Sequence, residues 1–311
     1  MKNKILVTGG AGFIGSHLVD ELVKRGEQVV VLDKLLRGNK LDNDILGKIT
    51  FVEGDVCDRD LVMKLSEKCD YIYHFAAVLG VDIVADNPVE TMNVEVVGTR
   101  NIVDAALINK VKKIIYASTS GIYGHSEIDK SVSEDSIVDP RTSYAIAKRY
   151  NEIYLSAQFE EKGLESVALR FFNVYGPRQD ERMVIPRFIN QIRNNKDITV
   201  FGAGIQTRDF TYIADTIKAT LLLMEKSKGA QIVNIANENE VTILDLAKSL
   251  QKLIKSKSQI TFVNAPQKRS DFEVERRFGC SDKLYDITRY KPTTSLIEGL
   301  NKILHPIHLE N

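Results

Sequence analysis

Ser143-Tyr144-Ala145-Ile146-Ala147-Lys148 sets a phenol and an ammonium four residues apart, which puts them on one face of a helix. A free tyrosine ionises near pH ~10. A cation beside it favours the phenolate, so Lys148 and a second positive group together turn Tyr144 into a usable general base. Ser118-Thr119-Ser120 closes the strand-like run KKIIYAS. In open α/β sheets ligands sit at the carboxyl ends of strands, so a hydroxyl there can hydrogen-bond the same substrate oxygen as Tyr144.

The chain opens MKNKILVTGGAGFIGSHLVDEL, with Gly9, Gly12 and Gly15 three apart between the apolar run Ile5-Leu6-Val7 and a helical pattern from His17 to Val23. A strand that turns at once into a helix aims the helix's free N–H groups and positive end at the turn, which makes a phosphate site. Gly10-Ala11-Gly12-Phe13-Ile14-Gly15 satisfies the dinucleotide fingerprint, so Phe13 and Ile14 join the three glycines in a cofactor-facing turn. Asp33 ends the next strand, where a carboxylate accepts hydrogen bonds from an adenosine ribose and repels a 2′-phosphate. NAD is therefore the expected cofactor, favoured over NADP, and Lys34 softens that preference without reversing it.

The elements that must hold these residues are legible as rhythm. KILVT, QVVVLD, ITFVEGD, YIYHFAA and KKIIYAS read as strands, and stretches such as PVETMNVEVVGTRNIVDAAL between them read as helices. Strands this apolar are buried on both faces, so the expected fold is α/β, a doubly wound parallel sheet of Rossmann type. ESVALRFFNV and QIVNIA add strands. From about Gly176 the rhythm changes and Arg becomes more frequent. Residues 1–175 are expected to form the NAD-binding domain, rejoined by about 213–245, and 176–212 with 246–311 a smaller C-terminal substrate-binding lobe.

TGGAGFIG, Gly54-Asp55-Val56, HFAA at His74 to Ala77, YAIAK, FFNVYGPRQ from Phe171 and FGAGIQTRDFTYIAD from Phe201 stand in an order and spacing that resemble the extended short-chain dehydrogenases/reductases, specifically the nucleotide-sugar epimerase/dehydratase family. The match weakens after about Asn264. The resemblance implies Asp55 and Val56 at the adenine, Ala76 along the NAD with Asn93 close by, and Ser118 beside them. It implies Tyr144 as base, Lys148 orienting the cofactor ribose and lowering the tyrosine pKa, and Thr119 as the third member. Asn173 and Arg208 would hold the diphosphate of a UDP-sugar, with Arg269 a second candidate because Arg269-Ser270-Asp271 only approximates the family's Arg-x-Gly-Asp. A homodimer is implied too, through helices around Pro88 to Ile108 and Arg141 to Lys162. Apolar residues such as Ile146, Tyr150, Ile153, Tyr154 and Ala157 spread over more than one helix face there.

Members of that family share an opening step at sugar C4 and differ in their later steps. Dehydratases resemble STDEVYG after this strand and decarboxylases STSEVYG; this chain reads STSGIYG, with Ser120 and Gly121 at the acidic positions. Epimerisation needs neither acid. A UDP-hexose 4-epimerase is therefore the expected activity, with a UDP-glucuronate 4-epimerase or decarboxylase next, because Arg178, Arg182 and Arg187 could meet a sugar carboxylate. A non-catalytic NAD-binding regulator would be expected to lose Tyr144 or Lys148, and both are present.

The bulk composition agrees. Lys+Arg and Asp+Glu number 42 each in 311 residues, which gives no reason to expect nucleic acid or an anionic membrane as partner. No apolar run reaches the roughly 18 residues of a membrane span, and Met1-Lys2-Asn3-Lys4 leads straight into a strand without a signal segment. Cys57, Cys69 and Cys280 are widely spaced, so a reducing cytoplasm is expected. No metal site is expected: His305 and His308 have a pair-like spacing, but no acid or cysteine cluster supports them.

Overall fold

The computed structural model describes residues 2–78, 87–125, 130–264 and 274–305. Seven strands form one sheet in the order β3-β2-β1-β4-β5-β6-β9. They are β1 (Lys4–Thr8), β2 (Gln28–Asp33), β3 (Thr50–Glu53), β4 (Tyr71–His74), β5 (Lys113–Thr119), β6 (Glu165–Phe171) and β9 (Ala230–Ile235), and every pairing is parallel. Alternation along the strands sends side chains to both faces. Ile5, Val7, Val29, Val31, Tyr73 and Ile115 pack on one side with the Phe13–Lys24 and Ile213–Lys226 helices. Leu6, Val30, Leu32, Ile72, Ile114 and Tyr116 pack on the other with Arg59–Leu65, Gly98–Ile108 and Ser143–Lys162. The doubly wound parallel sheet of the sequence reading is the observed architecture.

The chain leaves β1 toward β2 and β3 on one side and crosses to β4, β5 and β6 on the other. The order reverses between β1 and β4, and the turns after these two strands open a crevice at their carboxyl ends. Two small sheets flank it: β7 (Ile198–Phe201) with β11 (Ile260–Val263), parallel, and β8 (Thr207–Asp209) with β10 (Glu240–Thr242), antiparallel. Their buried residues, such as Ile198 and Val200, and the neighbouring Leu246 and Leu250 join the same apolar cluster as the sheet face. The Asp282–Thr288 helix packs against β9 and the Ile213–Lys226 helix.

One buried charge network ties the middle of the sheet to a helix. Arg170 on β6 donates through Nε and Nη2 to the two carboxylate oxygens of Glu152, both at 2.9 Å, and through Nη1 to the Tyr123 hydroxyl. Ser118 Oγ donates to Glu152 Oε1 at 2.6 Å. Arg170 and Glu152 are 1% and 0% exposed. Removing one partner strands a buried charge, so Glu152→Ala should lower the unfolding free energy by about 3–5 kcal/mol in urea denaturation. Glu298→Ala, at an exposed i,i+4 pair with Lys302, should cost less than about 1 kcal/mol. Equal losses would contradict the reading of the buried pair.

Candidate active site

Each of the opening glycines meets a different neighbour. Gly9 has φ +71°, and a Cβ there would lie 2.6 Å from the backbone of Phe75 and Ala76 after β4. A Cβ on Gly15 would lie 2.1 Å from the Gly9 carbonyl oxygen, so the helix can start against the turn only with hydrogen there. Gly12 is different: an added Cβ meets only the Gly9 oxygen, at 3.3 Å, and otherwise points into open space. Gly12 is also the N-cap of the Phe13–Lys24 helix and lines the crevice, so free helix N–H groups face an open cradle.

The crevice is a cavity of about 500 Å³. At one end Asp33 accepts from the backbone N–H groups of Ala11 and Leu35, at 2.9 and 2.8 Å, and so fixes the glycine turn as well as the wall. Burial raises its carboxyl above the ordinary value, against those two bonds. Lys34 pairs with Asp55 at 2.8 Å. Burial works against the Asp55 charge, but the Cys57 N–H and the Lys34 ammonium outweigh it and hold that carboxyl low.

At the other end stands the Ser143–Lys162 helix. Thr142 caps it by accepting from the Ala145 N–H, and Gly163 ends it with φ +75°. Tyr144 and Lys148 lie on its cavity side, with Lys148 Nζ 5.3 Å from the Tyr144 ring centroid and 4.7 Å from that of Tyr116. Thr119 Oγ1 accepts from the Gly121 N–H at 3.0 Å, which leaves the hydroxyl's own proton to donate into the cavity. Lys148 Nζ sits 2.9 Å from Glu95 Oε2, both side chains fully buried. Among the described residues the Lys148 ammonium has no acceptor besides this carboxylate, so the ion pair leaves donors of the ammonium for a ligand.

Tyr144 is raised above an ordinary phenol, first by burial and then by the charge of Glu95. A lysine alone would lower it, but here the Lys148 charge faces a carboxylate.

Gly9, Gly12, Phe13, Ile14, Gly15, Asp33, Asp55, Val56 and Ala76 line the cavity together with Ser118, Thr119, Tyr144, Lys148, Asn173 and Arg208. The Ser118 hydroxyl is engaged by Glu152. Arg208 Nη1 donates to the carbonyls of Thr207 and Val274. Asn93 is exposed and stands off the wall; its neighbour Val94 lines it instead. Arg269 and His308 lie outside the described residues. Of the three arginines offered for a carboxylate, Arg182 is on the wall. Arg178 pairs with Asp20 and Asp42, and Arg187 stacks over Phe201.

Sequence reasoning missed Glu95, Arg277 and the Lys40 and Arg37 side of the cavity. The acid among apolar neighbours in NVEVVGT was the available signal for Glu95. Glu238, Cys280 and Asp282 cluster elsewhere, with both carboxylates paired to Lys291. No helix among the described residues is long and apolar enough to cross a membrane.

The residues present fit NAD. Gly12 leaves a cradle that a side chain would fill, Asp33 stands at the end of β2, and Lys148 offers buried donors to ribose hydroxyls.

Residues 5–236 match the model of the NAD dependent epimerase/dehydratase family. The chain is 36% identical over 314 residues to the UDP-N-acetyl-alpha-D-glucosaminuronate decarboxylase of Bacillus cytotoxicus, covering 98% of this chain and 97% of the relative. It is similar to the solved UDP-glucose 4-epimerase of Thermotoga maritima with UDP-glucose, at TM-score 0.91 and 31% identity over 97% of each chain. It is also similar to the UDP-glucuronic acid 4-epimerase of Bacillus cereus in complex with UDP-glucuronic acid and NAD, at TM-score 0.88 and 32% identity over 96% of this chain and 97% of that one. Their names span two reactions, so the reaction has to be argued from the site.

The different surroundings of two glycines give a paired test. Gly12→Ala should fold with native stability but hold NAD at least roughly tenfold more weakly, a loss of about 1.4 kcal/mol, because the methyl group enters the cradle. Gly15→Ala should lose about 1–3 kcal/mol of stability, because its Cβ meets backbone. Calorimetric NAD titration and urea denaturation of both variants check this, and a destabilised Gly12→Ala with intact NAD affinity would refute the assignment.

Proposed function

The chain belongs to the NAD-dependent epimerase/dehydratase family, and from that premise we propose that it is a nucleotide-sugar 4-epimerase, inverting C4 of a UDP-hexose through a transient 4-keto sugar. The carrying observation is which acids stand on the wall. Among the described residues the cavity's carboxylates are Asp33, Asp55 and Asp180. Asp33 is bound to the glycine turn, Asp55 to Lys34, and Asp180 to Arg182. Beside Thr119 stand Ser120, which lines the cavity, and Gly121, whose N–H donates to Thr119 Oγ1. Dehydration or assisted decarboxylation without a positioned acid and base forfeits about 10²–10⁴-fold at each proton transfer. Epimerisation needs only that the keto sugar turn over and take hydrogen back on its other face.

NAD, when bound, supplies the hydride acceptor at C4 and the second positive charge beside the phenol. Tyr144 takes the O4 proton and later returns it. Thr119, its oxygen held by the Gly121 N–H, donates its proton to the same sugar oxygen and keeps it at Tyr144. Lys148 turns its free donors to the cofactor ribose. Arg208 and Asn173 hold the diphosphate, where a guanidinium is well matched. Arg182 and Arg277 on the wall favour a second reading, a UDP-glucuronate 4-epimerase, since either could meet a C6 carboxylate.

A homodimer is part of the same reading. The Ser143–Lys162 helix buries Ala147, Lys148, Asn151 and Leu155 toward the sheet, while Ile146, Tyr150 and Ile153 are 47%, 48% and 55% exposed on its other side. Val89 and Ile108 are exposed along the neighbouring helical segment. Two such helices from each protomer would cover these residues around a two-fold axis. The free thiols of Cys57, Cys69 and Cys280 suit a cytoplasmic enzyme.

Tyr144→Phe removes the base and keeps the ring, so turnover of UDP-galactose or UDP-glucuronate, followed by NMR, should fall by about 10²-fold or more while NAD stays bound. Thr119→Val should cost less, since it removes one hydrogen bond. Loss of water or carbon dioxide as the main outcome would overturn the epimerase reading, and an unimpaired Tyr144→Phe would overturn the mechanism. For the dimer, light scattering should give twice the chain mass for the native protein and a monomer for Ile146→Glu/Ile153→Glu; a native monomer at micromolar concentration refutes it.

A further inference from the structure

Glu95 has no role in the readings above, yet it is 1% exposed and lies behind the reactive pair. It sits in a π-helical turn, Asn93–Val97, between Pro88–Met92 and Gly98–Ile108. Such single turns are rare and recur at functional sites. One carboxylate oxygen faces Lys148 Nζ at 2.9 Å. The other accepts from the Val78 N–H, just after the cavity residues Ala76 and Ala77. The backbone of the turn is tied down as well. Ala76 N–H donates to Thr8 Oγ1, whose hydroxyl meets His74 Nδ1 at 2.7 Å. His74 Nε2 meets Thr99 Oγ1 at 3.0 Å, and Thr99 donates to the Glu95 carbonyl at 2.5 Å. These donors fix the His74 tautomer with its proton on Nε2. Asn151 donates to the same carbonyl.

We propose that Glu95 is a positioning residue for proton transfer at Tyr144: its carboxylate fixes the Lys148 ammonium in place and balances its charge. This rests on the reading of Tyr144 as the base. Among the described residues the other charged or titratable groups facing the pair are Tyr144 on the same helix as Lys148, Tyr116 on β5, and His74 on β4. Glu152 also acts on Tyr116 but is itself paired with Arg170. Burial, then the Lys148 charge, lowers His74 to about 3, so it stays neutral. Burial raises the Glu95 carboxyl, and the Lys148 ammonium at 2.9 Å and the Val78 N–H work against that and favour its charged form, so the pair is balanced where Glu95 is ionised, beside a neutral histidine and two phenols. With the Lys148 charge balanced by Glu95, the cofactor when bound would add the positive charge that tips Tyr144 toward the phenolate.

The test reads Tyr144 directly, without turnover. NAD-loaded protein with 13Cζ-labelled tyrosine is titrated by NMR, and the Tyr144 signal is assigned with Tyr144→Phe. Glu95→Gln removes the negative charge and keeps the shape, so the Tyr144 midpoint should fall by about one pH unit or more. Glu95→Asp keeps the charge and should leave the midpoint near native. An unchanged midpoint in Glu95→Gln overturns the proposal. If that variant does not fold, Glu95→Gln/Lys148→Gln leaves no lone buried charge and carries the test. A native midpoint supports a balanced pair, and a midpoint above native shows Lys148 acting unbalanced and overturns it. A shifted midpoint in a protein that turns over no UDP-sugar would sink the epimerase reading and leave the role of Glu95 standing.

Discussion

A fully buried ammonium has to be accommodated at the carboxyl edge of this sheet. Moving such an ion out of water costs several kcal/mol even after relaxation, and Lys148 is 0% exposed. The cost is offset by the Glu95 carboxylate at 2.9 Å and by the Tyr116 and Tyr144 rings. Each partner comes from a different element, and those elements are fixed by the sheet. β5 supplies Tyr116, the helix after it supplies Tyr144 and Lys148, and the π turn after β4 supplies Glu95. The string from Ala76 through Thr8, His74 and Thr99 then locks that turn to the ends of β1 and β4. The same strand ends carry the glycine turn, so phosphate cradle and reactive pair share one rigid base.

A second constraint is what the wall lacks. Thr119 spends its acceptor on the Gly121 N–H and keeps its donor for the cavity. A Cβ on Gly121 would meet Thr119 Oγ1 at 3.2 Å, a tight contact without backbone strain, so the fold alone does not demand glycine there. Among the described residues no carboxylate of the cavity wall stands at positions 120 or 121, and Gly121 is a position that could nearly hold a side chain. On the proposed reading that absence confines the site to taking hydrogen from C4 and giving it back. The relatives named above divide between epimerases and a decarboxylase on a shared scaffold, in keeping with chemistry that varies by a few wall residues.

Much of this was legible in the sequence because it is local. The glycine turn, Asp33 and the Tyr144–Lys148 spacing each depend on a few consecutive residues, and the apolar strands dictate a two-faced parallel sheet. Asn93, which the family resemblance sets near the NAD, is exposed and off the cavity wall. A π turn inserts i→i+5 bonding into the helix and changes which side chains face inward, and no uniform helical period reports it. Glu95, not Asn93, therefore turns toward the reactive pair. Arg277 reaches the wall only because a chain segment distant in sequence folds back over the crevice, which no local pattern encodes. The engagements of Arg178 with Asp20 and Asp42 likewise span most of the domain.

The central claim is that the hydrogen leaving sugar C4 returns to C4. UDP-galactose deuterated at C4, incubated with the NAD-loaded protein in ordinary water, tests it most directly. The account predicts UDP-glucose with deuterium retained at C4 and no solvent hydrogen incorporated elsewhere in the ring. Deuterium found at C6, or lost from the sugar during turnover, would contradict it.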